Sequence, residues 1–450
     1  MSEEASHKRV KMASTDSQQS SSFQLEPKRS SECEKRETRI TKDNLYMVLA
    51  LWMEMFPLQP LDSQPNPKAS NSKKCKKVGV VFVLPNDRVL AADCSRDEVH
   101  GVARVMINHS GKLEGCKVFV SRKPCSVCAK LLVQSRVSRV FYLPIEPESE
   151  RQRDLDKVDN LFKVSPVGQS VFVPCVDERV LTKEEKKLPE EITPYDIGVR
   201  RDELFNEWWN AEWIDRAQRC LPWPSLDDKM KIQVESDFKS FMKWIAVVKA
   251  PLDKGVTFRK VIYTDDLKLR VCADEYDRDV AYHVMVFAKM LARQTDDPKK
   301  GVGAVIMKGR EIVTLGWNGF PSKALYGEFP RASDQLSDDD SAPDTKFPYV
   351  IHAEQNALLV RNVKDLTDGV LFVTKTPCDE CAPMVKLTGV RTVIVGEKIG
   401  DSCGGELTYD LIKEYIKDKS FSCFVKMETE KTAAKRTASD PEIRKKFKQS

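Results

Sequence analysis

The sequence predicts an α/β protein: one β-β-α-β-α-β unit occurs twice, each copy a mixed sheet flanked by helices, with a mainly helical connector between them. Three observations predict it. Short Val- and Ile-rich runs alternate with helical patterns in two stretches of the chain. The order of those patterns is the same in both stretches. The spacing between the copies is nearly constant: His352 lies 252 residues after His100, and Cys378 lies 253 after Cys125. A fixed offset of this kind is the mark of an internal duplication.

Residues 1–40 are rich in Ser, Glu, Lys and Gln, as in "STDSQQSSS", and without apolar periodicity they are expected to be disordered. From Thr41, "TKDNLYMVLALWMEMF" predicts a capped amphipathic helix opening a first domain over residues 41–150. "VGVVFVLP" and "RVLAAD" read as a hairpin, "VHGVARVMINH" as helix, "CKVFVS" as strand, "SVCAKLLVQS" as helix and "RVFYLP" as strand. Residues 151–270 hold few strand patterns. "DELFNEWWNAEWIDRAQRC" and "VESDFKSFMKWIAVVKA" are helical, with the turn "LPWPS" between them. Trp208, Trp209 and Trp213 stand at helical spacing and read as packing residues. The second domain, residues 271–425, opens on the helix "DRDVAYHVMVFAKMLARQ". The strands "GVGAVIM" and "EIVTLGWNG", the helix "HAEQNALLV", the strand "GVLFVTK", the helix "DECAPMVKLTG" and the strand "TVIVG" follow. The acidic insert "ASDQLSDDDSAPD" before the "HAEQ" helix is expected to form a mobile loop at a site mouth. In the tail, residues 426–450, "KRTASDPEIRKKFK" carries two basic clusters separated as in a bipartite nuclear import signal, or as in a solvated charged tail.

The chain has 450 residues, 41% hydrophobic and 31% charged, with a net charge of +5. That balance supports a sizeable core and does not by itself imply a nucleic-acid partner. No apolar run is long enough to span a membrane, and the first thirty residues contain no signal-peptide core. An intracellular location, cytoplasmic and nuclear, is therefore expected. Thirteen cysteines in such a chain predict thiols and metal ligands before disulfides.

The chemistry concentrates in "HAE" at 352 and "PCDEC" at 377. A neutral imidazole and two thiolates are good tetrahedral zinc ligands. Cys378 and Cys381 are three apart at a helix start, where the backbone favours thiolates, and His352 stands in the first turn of the preceding helix. Three protein ligands leave a corner for water, whose pKa zinc lowers to about 7. Glu354, two residues after His352, can carry the water's proton to a ring nitrogen and a leaving amine. H-x-E followed by P-C-x-x-C is the signature of zinc nucleobase deaminases. In the first copy His100, Cys125 and Cys128 match the ligands, but Val102 stands where the glutamate should be. A second zinc site without turnover is expected there, serving as scaffold, oligomer contact or effector site. A reduced cysteine pair beside an ordinary helix histidine is the bland reading of the same residues. His109, Cys403 and Cys423 do not fit ligand spacing, and His283, on the apolar helix before the second copy, reads as a core or boundary histidine.

With "LARQTDDPKKGVGAVI", "GWNGFP", "YVIHAEQNAL" and "PCDEC" in that order, the chain resembles the cytidine/deoxycytidylate deaminase superfamily, most nearly its deoxycytidylate branch, over roughly residues 270–400. The resemblance implies a five-stranded sheet per domain and homo-oligomers. It also implies deamination of deoxycytidine nucleotides, with dCTP to dUTP favoured and dCMP, cytidine or deoxycytidine as alternatives. It would make His352, Cys378 and Cys381 the zinc ligands, Glu354 the proton shuttle and Asn318 a holder of the sugar hydroxyl, although an Asn before Gly319 can equally serve only its turn. In deoxycytidylate deaminases the stretch after "NGFP" often carries a Cys and a His for another zinc; "SKALYGEFPRASDQ" has neither. Lys299, Lys300 and Lys323 are candidates for phosphate contacts. Single-stranded DNA or RNA as substrate is disfavoured by the mild net charge and the acidic insert, and a non-enzymatic zinc scaffold by Glu354.

Overall fold

Val- and Ile-rich runs in each copy form the strands that its periodicity predicts, and they pair in the same pattern twice. The computed structural model describes residues 39–57, 76–149, 151–209, 227–253, 255–264, 268–297, 300–321, 350–399 and 408–428. Residues 1–38 of the polar N-terminal stretch, Trp213, Lys299, Lys323, the acidic insert, Cys403 and residues 429–450 of the tail lie outside these.

In the first copy α1 (Lys42–Glu54) precedes the hairpin β1 (Gly79–Val83) and β2 (Val89–Cys94). Then come α2 (Gly101–Asn108), β3 (Lys117–Val120), α3 (Ser126–Gln134) and β4 (Arg139–Tyr142). The segment read as connector supplies α4 (Gln152–Lys163), β5 (Gly168–Val171), α5 (Glu178–Glu185), α6 (Pro194–Trp208) and α7 (Asp228–Lys249). It also supplies β6 (Val256–Tyr263) and the first two residues of its hairpin partner β7 (Leu269–Glu275), which runs on into the segment expected to open the second domain on a helix. The second copy follows as α8 (Arg278–Ala292), β8 (Gly303–Lys308), β9 (Glu311–Trp317), α9 (Ala353–Val360), β10 (Val370–Val373), α10 (Cys381–Leu387), β11 (Thr392–Val395), α11 (Asp410–Lys417) and β12 (Ser422–Glu428).

The twelve strands lie in one sheet, ordered β5-β4-β3-β1-β2-β9-β8-β10-β11-β12-β6-β7. The first five and the next five are the two predicted five-stranded units, set in opposite order about the β2–β9 joint. Within each, the hairpin and its neighbour are antiparallel and the outer pairs parallel. Both hairpins carry a register shift near the end of their first strand, between Phe82 and Val83 and between Ile306 and Met307. Two differences from the sequence reading concern the connector. It is mainly helical, as expected, but it lends β5 to the first sheet and the β6–β7 hairpin to the far edge of the second.

The expected amphipathic α1 is buried on nearly every side from Asn44 to Glu54. One face lies on the first sheet and the other meets α8, so its polar face is reduced to its first turn. Thr41 caps it, its hydroxyl accepting from Asn44 N. Both helices approach their sheets closely. A Cβ on Gly79 would stand 2.0 Å from the Ala50 carbonyl oxygen, and one on Gly303 would stand 1.9 Å from that of Ala288. Only glycine permits that contact. A single core, including Leu45, Phe82, Trp244, Met285 and Phe372, runs through both halves, while a second cluster fills the other side of the second sheet.

The backbone joint between the copies is thin: β2 and β9 share the pair Ala92–Ile312. Side chains reinforce it. Glu311 receives His109 Nε2 at 2.8 Å and Asn108 Nδ2 at 3.0 Å. Asn362 Nδ2 donates to the carbonyl oxygens of Val89 and Leu90. Trp52 stacks on His283 with ring centroids 4.8 Å apart, and its Nε1 donates to the His283 carbonyl oxygen at 3.0 Å. His109 and His283, set aside as ligands, are thus joint residues. Trp208 and Trp209 pack in the core. No helix among the described residues is long and apolar enough to cross a membrane.

Candidate metal and catalytic site

His352 is the residue before α9, and Cys381 is the first residue of α10. The start of α9 is fixed from two sides. His352 N donates to Gln355 Oε1 at 3.0 Å, and Gly316 on β9 lets the Ala353–Ala357 backbone settle against the strand. Asn356 Nδ2 and Thr314 Oγ1 add bonds from helix to strand and strand to helix, to the carbonyl oxygens of Trp317 and Ala357. Cys381 N and Ala382 N both donate to the Cys378 carbonyl oxygen, turning the chain so that both sulfurs face one point. Asp379, between the cysteines, accepts from Asp410 N and Leu411 N and holds the start of α11 beside the site.

The result is a tight triangle. His352 Nδ1 lies 3.2 Å from Cys381 Sγ and 3.3 Å from Cys378 Sγ. Ligand atoms of a tetrahedral zinc, each about 2.0–2.3 Å from the ion, are spaced by about that edge length. Among the described residues no fourth donor of the His, Cys, Asp or Glu type joins this group. Both sulfurs and the Glu354 side chain are buried. Burial pushes the Glu354 carboxyl up to about 7, and its carboxylate is within hydrogen-bonding reach of Cys381. The bond from Cys381, ahead of the one from His352, holds the Cys378 thiol down at about 4, while Cys381 is correspondingly raised. One thiol of the pair is thus primed as thiolate by the protein's own groups. An imidazole nitrogen and two sulfurs, one of them already anionic, are a donor set that fits zinc.

Asn318 is buried and its carboxamide is occupied. Oδ1 accepts from Val302 N at 2.7 Å, and Nδ2 donates to the Lys300 carbonyl oxygen at 2.9 Å and to Asp297 Oδ2 at 3.3 Å. It ties the loop before β8 to the end of β9 and so sets the position of Lys300. Of the three candidate lysines only Lys300 is described. Beside it is Lys375, three residues before Cys378, which the sequence reading missed. Burial first, and then the Lys300 charge, bring the Lys375 ammonium down to about 8. Tyr409 is a second residue missed: its hydroxyl is raised by burial and by the charges of Cys378, Glu397 and Glu354. No local sequence pattern marks either the lysine or the tyrosine as a site residue.

The first copy brings its three matched residues together as well. His100 Nδ1 is 3.5 Å from Cys125 Sγ, and Cys128, in the first turn of α3, brings its sulfur into the same group. Val102 is buried beside them. A fourth residue, Glu148, joins the group. It lies in the loop after β4, 23 residues past Cys125, and no motif announces it.

Comparison with known proteins identifies the family. The family model described as the cytidine and deoxycytidylate deaminase zinc-binding region matches residues 65–144 and 278–397. The chain is 27% identical over 418 residues to the Danio rerio protein named cytidine and dCMP deaminase domain-containing protein 1, a match covering 82% of this chain and 87% of that one. It is 34% identical over 125 residues to Homo sapiens deoxycytidylate deaminase, covering 27% of this chain and 66% of that protein. With the deoxycytidylate deaminase of Mycobacterium phage D29 it shares 33% identity over 116 residues, 24% of this chain and 86% of the phage protein. The chain belongs to the cytidine and deoxycytidylate deaminase family, and it carries that family's zinc-binding region twice.

Proposed function

We propose that the second copy hydrolytically deaminates the cytosine ring of a deoxycytidine nucleotide, with dCTP to dUTP as the favoured reaction. One observation carries the reading: a His352–Cys378–Cys381 triangle with a buried carboxylate, Glu354, at its edge. His352 Nδ1 and the two sulfurs would hold zinc, which when bound supplies Lewis acidity and hydroxide from water at neutral pH. Glu354 would take one proton of the attacking water and deliver it to ring N3, then move the second, from the new C4 hydroxyl, to the amine, so that the C4–N bond breaks, the C4 carbonyl forms and ammonia leaves. A carboxyl poised near neutrality suits a group that must both accept and donate. Lys300 and Lys375 support a phosphorylated substrate: two ammonium groups held together beside the site are relieved by a phosphate chain. Asn318 positions Lys300, and the sugar hydroxyl is assigned, as part of this proposal, to the second lone pair of its Oδ1, whose other bond is from Val302 N.

The test is a substrate panel: dCTP, dCDP, dCMP, deoxycytidine, cytidine and a single-stranded oligonucleotide at equal concentration, read as the uracil product. Conversion of the oligonucleotide alone would overturn the nucleotide reading, and dCMP or nucleoside preference would shift it within the family. Glu354→Ala should abolish turnover and keep the zinc. Assembly into homo-oligomers is tested by light scattering, and nuclear entry through the basic tail by deleting that tail in cells.

A further inference from the structure

We propose that the first copy is a closed, four-ligand zinc site in which Glu148 fills the corner that a hydrolytic enzyme must leave to water. His100 Nδ1, both sulfurs of Cys125 and Cys128, and a Glu148 carboxylate oxygen all lie within 4.8 Å of one another. Glu148 Oε1 is 2.5 Å from His100 Nδ1 and 3.8 Å from Cys128 Sγ, while His100 Nδ1 is 3.5 Å from Cys125 Sγ. The two contacts to sulfur match the edges of a zinc tetrahedron, and the short His–Glu contact opens by about 1 Å when an ion stands between the two groups.

Three features show that the carboxylate is built into this place. Its side chain is 1% exposed, and a carboxylate so buried is costly unless a charge or metal faces it. Its other oxygen, Oε2, accepts from Cys125 N at 2.8 Å, the kind of bond that aims a metal ligand. Its backbone is pinned on both sides, Glu148 N donating to the Lys123 carbonyl oxygen and Lys76 N to that of Glu148. The first copy therefore differs from the second in two ways. Val102 removes the proton carrier, and Glu148 removes the place for water. A Cys₂HisGlu set without an open corner has the form of a structural zinc site, which adds folding free energy instead of turnover. This inference stands apart from the reaction proposed for the second copy.

The experiment counts zinc on the full-length chain by native mass spectrometry and follows its release to 4-(2-pyridylazo)resorcinol. Wild type should carry two zinc ions, one leaving at least tenfold more slowly than the other, because a chelator has no open corner to enter. Cys378→Ser should lose the fast ion and keep the slow one. Glu148→Gln should abolish the slow phase, either by losing that ion or by releasing it with the fast one. A wild-type chain with one ion that Cys378→Ser removes overturns the proposal, and so does a slow phase unchanged within twofold in Glu148→Gln. Should that variant fail to fold by circular dichroism, Glu148→Asp keeps the charge and withdraws the carboxylate by one methylene. Release at least threefold faster then supports the proposal, and an unchanged rate refutes it.

Discussion

His283 ties the stability of the joined halves to pH. It is fully buried between the ring of Trp52, stacked at 4.8 Å, and the edge of Phe56 at 5.1 Å, both from the first copy. Its Nε2 has no hydrogen-bond partner among the described residues. Burial first, and the nearby Lys77 ammonium second, push its pKa down to about 3. The folded protein therefore holds it neutral, while the unfolded chain protonates it below its ordinary value near 6.5. The unfolded state binds the extra proton, so this contribution is complete above about pH 6.5 and is lost as pH falls toward 3. Between pH 7 and pH 5 the loss is about 2 kcal/mol, out of a ceiling of about 5 kcal/mol for the whole shift. His283→Leu keeps an apolar body in the slot and removes the titration. Urea unfolding followed by tryptophan fluorescence, for wild type and variant at pH 7, 6 and 5, isolates the term as a difference. The variant should match or exceed wild type at pH 7 and gain about 2 kcal/mol on it by pH 5. Parallel losses within about 0.5 kcal/mol would show that His283 is not held neutral.

Glu311→Ala leaves buried His109 without its partner at the joint, and Asn108 without its own, and should cost about 1–3 kcal/mol in the same assay. Gly79→Ala and Gly303→Ala each drive a methyl into a helix carbonyl, and either should cut the soluble yield or lower the melting temperature by more than about 5 °C, read by scanning fluorimetry. Lys375→Ala should raise KM for nucleotides about tenfold, with little change in kcat and no change in KM for deoxycytidine, read by steady-state kinetics; an equal effect on deoxycytidine would remove Lys375 from phosphate recognition.

What the sequence makes legible follows from how local the signal is. The strands "VGVVFV" and "GVLFV" are apolar because both faces of each are covered, so composition alone marks them. The zinc triangle is legible because its ligands sit at two fixed places, a residue before one helix and a turn at the start of another, and the duplication presents the pattern twice. β5, "GQSV", is four half-buried residues with no alternation, and nothing in it separates a strand from a loop. β6, "VTFRKVIY", does alternate, and its signal was present in the stretch read as connector. Glu148 and Lys375 are invisible for another reason. Their roles depend on which loop ends meet at the end of a sheet, and that is a property of the tertiary fold.

The continuous sheet gives a physical reason to keep a first copy that has Val102 where the second has Glu354. Standing alone, the catalytic half would expose the edge of β9 and the side of α8 that carries His283, which packs on Trp52 and Phe56 in the full chain. A bare strand edge invites pairing with other chains. The first half covers that edge with β2 and that face with α1. The shared backbone pair supplies at most about 1–3 kcal/mol net, two hydrogen bonds at best, whereas each fully buried Leu, Met or Phe across α1 and α8 supplies roughly 1.5–3 kcal/mol. Packing, not the ladder, holds the halves together. The helix that does the packing, α1, lies over β1, β2 and β3, the sheet that also carries the loops to His100, Cys125 and Glu148. A metal that closes those loops would stiffen the platform on which the catalytic half rests. On that argument a metal bound at the first site would act on the second copy through the joint, and its loss should weaken the Trp52–His283 contact.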